Sequence, residues 1–304
     1  MSQAQLQQGI GCAIAAYVMW GIAPLYFYAV KAVPSDEILM HRIIWSFGLM
    51  LALVLLQRQW GNVRATLKQP KVLGWLLVSA LVVASNWLTY IWAVTHGRII
   101  DASLGYYINP LINIAFGTIL FREQLGKLSL LAVLLASFGV LVQLFQYGSL
   151  PLISLYLASS FAIYGVIRKR LPVPASTGLL IETAWLLPMA VGYWLWLATP
   201  TSDFFSNSSS LNALLLASGV VTTLPLLAYG FAARRIPFYL LGMLQYIGPT
   251  IMLLMGLWLF GEQMQPEQRI TFGFIWAALL LMSLEALWKV RQQRTRQVTQ
   301  PDLE

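Results

Sequence analysis

Ten apolar runs, each about 20 residues long and separated by short polar stretches, fix most of what this chain can become. They cover about 8–29, 37–57, 72–95, 102–121, 127–146, 150–168, 177–198, 211–233, 239–260 and 269–289. A bilayer core about 30 Å thick takes roughly 20 apolar residues per helix. Inside lipid the backbone must satisfy its own hydrogen bonds, which leaves helices or closed barrels. Barrel strands read as alternating segments of about 10 residues, and these runs do not alternate. The chain therefore reads as an all-α integral membrane protein with ten spans. Only 10% of its 304 residues are charged, against about 25% in a soluble domain.

Charge sets the expected orientation. With the N-terminus inside, fifteen Lys and Arg fall in inner loops, among them Arg58, Arg64, Lys68, Lys71, Arg122, Lys127, Arg168, Lys169, Arg170, Arg234, Arg235 and Lys289. Three, Lys31, Arg98 and Arg269, fall outside, and Arg42 lies within a span. This asymmetry is the positive-inside pattern. It predicts both termini in the cytoplasm and accounts for the net charge of +8 without nucleic acid. The first run lacks a basic lead and a clear cleavage site, so it is expected to stay as span 1. The only cysteine, Cys12, excludes an intramolecular disulfide.

One segment occurs twice. Tyr107–Gln124 reads YINPLINIAFGTILFREQ, and Tyr246–Gln263, 139 residues later, reads YIGPTIMLLMGLWLFGEQ. Nine of the eighteen positions agree without a gap. The register lays span 4 on span 9, hence spans 1–5 on spans 6–10. Five is odd, so the second unit enters the membrane from the opposite side. Inverted repeats of this kind build many secondary transporters. The expected units are 8–146 and 150–289, followed by a disordered basic tail, 290–304.

With WGIAPLYF (20–27), EILMHRIIWS (37–46), SLGYYINPL (103–111), YGVIRK (164–169), GLLIET (178–183) and LQYIGPT (244–250), the whole chain resembles the drug/metabolite transporter superfamily with two EamA-type repeats. Within it, the chain looks most like the RarD-like permeases. The resemblance implies an inner-membrane carrier whose cavity is lined mainly by spans 1–4 and 6–9, with spans 5 and 10 peripheral. Such proteins are often labelled chloramphenicol-related permeases, but the superfamily moves many solutes.

Helical spacing shows which faces turn inward. Span 1 aligns Tyr17, Trp20, Pro24 and Tyr28; span 3 aligns Ser79, Asn86 and Tyr90, with Trp87 alongside. Span 4 gives Tyr106, Asn109 and Asn113, span 6 Tyr156, Ser160 and Tyr164, span 8 Thr222, Pro225 and Tyr229, and span 9 Gln245 beside Pro249. Polar stripes face other helices or a wet cavity, not lipid. Hydrogen bonds between helices are the alternative for any one stripe, but six stripes in one bundle favour a cavity. Trp20, Trp45, Trp87, Tyr90 and Tyr229 are placed to stack on a flat or cationic solute, whereas Trp60, Trp75, Trp196 and Trp288 suit the interface. Pro110 and Pro249 each delete a helix bond, to the carbonyls of Tyr106 and Gln245, and are expected to act as bends or as packing kinks.

Three ionisable residues are embedded: His41 and Arg42 in span 2, and Glu182 in span 7. Both groups lie about 8–9 Å deep at 1.5 Å per residue, from opposite faces. Embedded charges mark substrate or proton pathways, and Glu182, then His41, are the coupling candidates. The competing reading is ionic pairing: Arg42 with Asp36 or Glu37, and Glu182 with Arg168 or Lys169. Glu123 and Glu262 are expected as helix-end caps or loop ion pairs, and Glu285 at the interface. Neither a nucleotide-binding loop nor a metal motif is present, so no cofactor and no metal are expected. The function expected is secondary transport of a small amphipathic metabolite or drug, by proton coupling, exchange or uniport. An enzyme acting on a lipid-linked substrate, or a channel, is the alternative.

Overall fold

The structure, a computed structural model, describes residues 3–95, 99–147, 151–196, 199–259 and 266–299. Among these it contains α1 (Gln3–Ala29), α2 (Ser35–Leu56), α3 (Trp60–Leu67), α4 (Pro70–Thr95), α5 (Ile99–Leu120) and α6 (Lys127–Tyr147). There follow α7 (Leu152–Arg170), α8 (Ala175–Trp196), α9 (Ser209–Ala233), α10 (Phe238–Leu244), α11 (Ile247–Leu259) and α12 (Pro266–Thr299). No strand occurs among the described residues. Among the described residues, eight stretches are long and apolar enough to cross a membrane, with α10 and α11 forming one of them. The protein is thus a multi-pass all-α membrane protein. α5 and α12 complete the bundle, α5 against α7 and α10, α12 against α6. Arg98 and Glu262 lie outside the described residues.

Helix packing follows a paired pattern. α1 packs on α9, and α7 on α4; α2 packs on α9, and α8 on α4. α5 packs on α7, and α11 on α1; α2 meets α8, α5 meets α10, and α6 meets α12. Each pair maps onto another, or onto itself, when a helix of the first five spans is exchanged for its counterpart in the last five. α6 and α12 lie to one side of the bundle, where they enclose Ala132, Ala136, Phe272 and Ile275 in a shared core.

Three local features escape the hydropathy pattern. Arg58 takes a left-handed backbone (φ 56°) and turns the chain into the short α3. The ninth apolar run is broken between α10 and α11 at Gln245 and Tyr246. Pro249 has no N–H for Gln245, so that carbonyl accepts from Gly248 N at 3.1 Å instead. Pro249 then sits in the first turn of α11, where a missing N–H leaves no partner unsatisfied. α5 carries Pro110 yet stays unbroken. At the places of Gly242 and Gly248 it has Ser103 and Asn109, which resist breakage better than glycine. Finally, α12 continues to Thr299, through most of the tail expected to be disordered. Lys289 to Thr299 contains no glycine or proline, and Arg and Gln are good helix formers.

Close approach depends on glycine. A Cβ on Gly219 would stand 2.6 Å from the Trp45 backbone, where α2 and α9 cross. Gly219→Ala is expected to force the helices apart and cost about 1–3 kcal/mol. A thermal melt in detergent should show it, while Gly192→Ala, whose Cβ meets nothing within 4 Å, should melt with the wild type.

Candidate functional site

Halfway along the bundle, toward the end where α1 finishes, lies a cavity of about 120 Å³. α1 lends Tyr17, Trp20, Pro24 and Phe27, α2 lends Arg42, and α4 lends Asn86, Trp87 and Tyr90. α5 adds Gly105, Tyr106 and Asn109; α7 adds Leu157 and Phe161; the α10–α11 break adds Gln245, Gly248, Pro249 and Met252. Trp20, Arg42, Asn86, Trp87, Tyr90, Tyr106, Asn109 and Gln245, all expected at a cavity, therefore meet there. Proline 249 also faces it, while Pro110 turns its carbonyl to α10, 2.8 Å from where a Cβ on Gly242 would stand.

Amide side chains tie the cavity walls together. Asn86 Nδ2 donates to Leu157 O at 2.8 Å and to Ser160 Oγ at 2.9 Å, joining α4 to α7. Asn109 Nδ2 donates to Ala158 O, joining α5 to α7. Asn113 Nδ2 donates to Gln245 Oε1 at 2.8 Å, which fixes the amide at the helix break. The stripes of α1, α4, α5 and the α10–α11 break thus both bond between helices and line the cavity, whereas those of α7 and α9 bond between helices without lining it.

Arg42 is the cavity's only charged lining residue among those described. Its Nε donates to Thr222 Oγ1 at 2.8 Å. The guanidinium carbon sits 4.6 Å from the Trp87 ring centre and 5.6 Å from that of Phe27. The expected pairing with Asp36 or Glu37 does not form. Asp36 accepts from the Tyr193 hydroxyl, and Glu37 accepts from Thr199 and from Thr201 at 2.8 Å. These bonds close the loop before α9 over the start of α2.

Tyr28, His41, Trp45, Tyr164, Glu182 and Tyr229, also expected there, lie elsewhere. Tyr28 is 58% exposed beneath Lys31. His41 is buried, packs edge-on against Trp194 and Phe204, and accepts from Trp45 Nε1 at 3.2 Å. Positions 41 and 42 are about 100° apart on a helix, so both cannot face one cavity. Tyr164 and Tyr229 stack at 6.1 Å, and with Tyr17, Trp20 and Phe161 they form an aromatic floor under the cavity. Glu182 lies beyond that floor. Its Oε1 is 3.4 Å from Arg168 Nη1 and accepts from Ser79 Oγ at 2.6 Å, while its Oε2 has no hydrogen-bond partner.

A second ionic cluster lies at the same end. After α5, Arg122 adopts φ 53° and turns Glu123 back over the bundle. Glu123 Oε1 and Oε2 accept from Phe238 N at 2.7 Å and Tyr239 N at 2.9 Å, capping α10. Lys169 completes it at 3.2 Å from Glu123 Oε1 and donates to Ile236 O at 2.7 Å. Glu285, expected at the interface, is instead buried and accepts from Ser129 of α6. Sequence reasoning missed Phe27, Leu157, Phe161 and Met252, which carry no polar signal. Arg168 extends the Tyr156, Ser160, Tyr164 stripe by one more turn, and that spacing was the clue to its inward face.

Residues 7–145 match the model of the EamA-like transporter family. The chain is 49% identical over 294 residues to Protein RarD of Salmonella typhimurium, covering 96% of this chain and 100% of that one. It is 48% identical over 286 residues to an uncharacterized transporter of Vibrio cholerae, covering 94% and 95%. To the Chloramphenicol-sensitive protein RarD of Pseudomonas aeruginosa it is 30% identical, covering 95% and 98%. One crystal structure superposes with a TM-score of 0.71 at 16% identity, over 91% of this chain and 98% of the other, a likeness of fold alone.

Proposed function

This chain belongs to the EamA-type, RarD-like permeases of the drug/metabolite transporter superfamily, and on that premise we propose that it is a secondary carrier working by alternating access. Transporter membership, rather than enzyme chemistry, is established by its relatives. The finer reading is ours. Ten spans in the bacterial inner membrane form two inverted units, 8–146 and 150–289, with both termini inside. One observation carries it: the cavity stops at the aromatic floor, and two ionic clusters, Arg168–Glu182 and Lys169–Glu123, lie at the floor's far side. A closed floor suits a carrier better than a channel. The mapping of packed helix pairs between the first and last five spans supports the two-unit reading. Pro110 and Pro249 serve as bends where α5 crosses the broken span, and Glu182 is the proton site, with His41 held in reserve. The solute is a small amphipathic molecule.

Topology gives a direct test. A reporter active only outside the cytoplasm should be silent when fused after residue 296 and active in the 203–210 loop. The reverse pattern overturns the ten-span reading. Metabolite profiles of deletion and overexpressing cells would name a solute, and counterflow of that solute in liposomes separates a carrier from a channel, which gives flux without exchange.

A further inference from the structure

The charge of the cavity narrows its solute. We infer that it takes an organic monoanion with a flat apolar body, whose acid group docks on Arg42; this deepens the carrier reading above and rests on it. An arginine has five N–H donors. Here Nε–H is used on Thr222, and Nη1 and Nη2 have no protein partner among the described residues. The residue is only 8% exposed. No carboxylate among the described residues lies within salt-bridge reach of it, and none lines the cavity. The two acids nearest in sequence, Asp36 and Glu37, are engaged by Tyr193, Thr199 and Thr201. A buried cation without a counter-charge is costly, and the faces of Trp87 and Phe27 compensate it only in part.

The remaining donors agree in sign. The Gln245 amide is turned so that its oxygen accepts from Asn113, which leaves its nitrogen without a protein acceptor among the described residues. Tyr90 and Tyr106 pack edge-on at 5.8 Å beside Arg42. Apart from the Asn86 and Asn109 amides, whose nitrogens are bonded to α7, the lining around these donors is aromatic and aliphatic, with Trp20 and Phe161 crossing edge-on at 5.5 Å on the floor. A cation would meet Arg42 as a like charge. A neutral solute can accept from the guanidinium but leaves its charge without a counter-charge. A planar acid head takes the guanidinium fork in two parallel bonds, and an attached ring lies among Trp20, Trp87 and Phe161.

The test compares solutes that differ only in charge. Benzenesulfonate and its neutral isostere benzenesulfonamide form one series, and phenylacetate and phenylacetamide a second; phenyltrimethylammonium serves as the cation. The solutes carry one ring only, because the cavity of about 120 Å³ is somewhat smaller than the roughly 150 Å³ that accepts benzene. Binding to the detergent-purified full chain is read from the rise in melting temperature with concentration. Each anion should bind on the order of 10- to 100-fold tighter than its amide, the worth of charged hydrogen bonds, and the cation should not stabilise the protein. Arg42→Gln should erase the preference, and Arg42→Lys should retain part of it. Equal binding of amide and anion, tighter binding of the cation, or no stabilisation by either anion overturns the inference, as does a preference that survives Arg42→Gln. The wild-type series decides the matter even if a variant fails to fold. No flux is measured, so a carrier of neutral solutes fails this test yet passes counterflow, and an anion-binding protein that moves nothing does the reverse.

Discussion

Glu182→Gln is expected to abolish the response of solute accumulation to a pH gradient while exchange continues at a reduced rate. The carboxylate is 1% exposed, beyond the aromatic floor. Oε1 is held by Ser79 and faces Arg168, but Oε2 has no donor, which leaves a place for a proton. Protonation would remove the charge that holds Arg168 of α7 to α8, and α7 also forms one wall of the cavity. Glutamine keeps the size and an acceptor for Ser79, yet it cannot take up a proton. The measurement is benzenesulfonate uptake in liposomes with and without a pH gradient, at matched protein levels. Accumulation that still follows the gradient removes Glu182 from the coupling role and passes it to His41, whose Nε2 lacks a hydrogen-bond partner and lies 3.8 Å from Glu37. A merely structural pair predicts a different result. Breaking a buried pair by deleting one partner costs about 3–5 kcal/mol, so the variant would then fold poorly and recover when Arg168→Met is added.

The second large effect is expected at Glu123. Its carboxylate accepts from two backbone N–H groups of α10 and also holds Lys169 of α7. It thereby ties the end of the first unit to two helices of the second. Hydrogen bonds to a charged group contribute about 1.5–3 kcal/mol each. Losing even one such bond shifts a two-state equilibrium about tenfold or more. Glu123→Ala should therefore favour the form open beneath the floor. A cysteine at Ala232, which is fully buried, reports this in a Cys12→Ser background. Labelling by a membrane-impermeant maleimide should be at least about tenfold faster with Glu123→Ala than without it. Unchanged labelling would leave Glu123 as a helix cap with no part in closure.

The sequence made the bundle legible because lipid imposes length and polarity on every span. It also exposed the cavity's polar side, since an Asn, Gln or Arg in an apolar helix is visible at once. What it concealed depends on rotation and reach. Arg42 and His41 are adjacent in the chain, but one faces the cavity and the other an aromatic cage. Tyr28 reads as part of a stripe with Trp20, yet eight residues at 100° each turn it about 80° away, and it is 58% exposed. The break at Gln245 could be read from Pro249, but that α5 would survive Pro110 depended on the residues around each proline. Pairing of Glu182 with Arg168 rather than Lys169 was a matter of side-chain direction at the end of α7.

Arg42 is part of α2 and stays with the protein when a solute leaves. A monoanion released from the cavity on the other side has therefore moved its full charge through the membrane's electric field. That displacement is worth about 2.3 kcal/mol for every 100 mV. With the cell interior negative, outward movement runs downhill and entry uphill, and a single proton travelling with the anion cancels the difference. A lone fixed cation in the binding site thus makes membrane voltage an arbiter of direction, and net current the observable that distinguishes expulsion of a bare anion from its electroneutral passage with a proton.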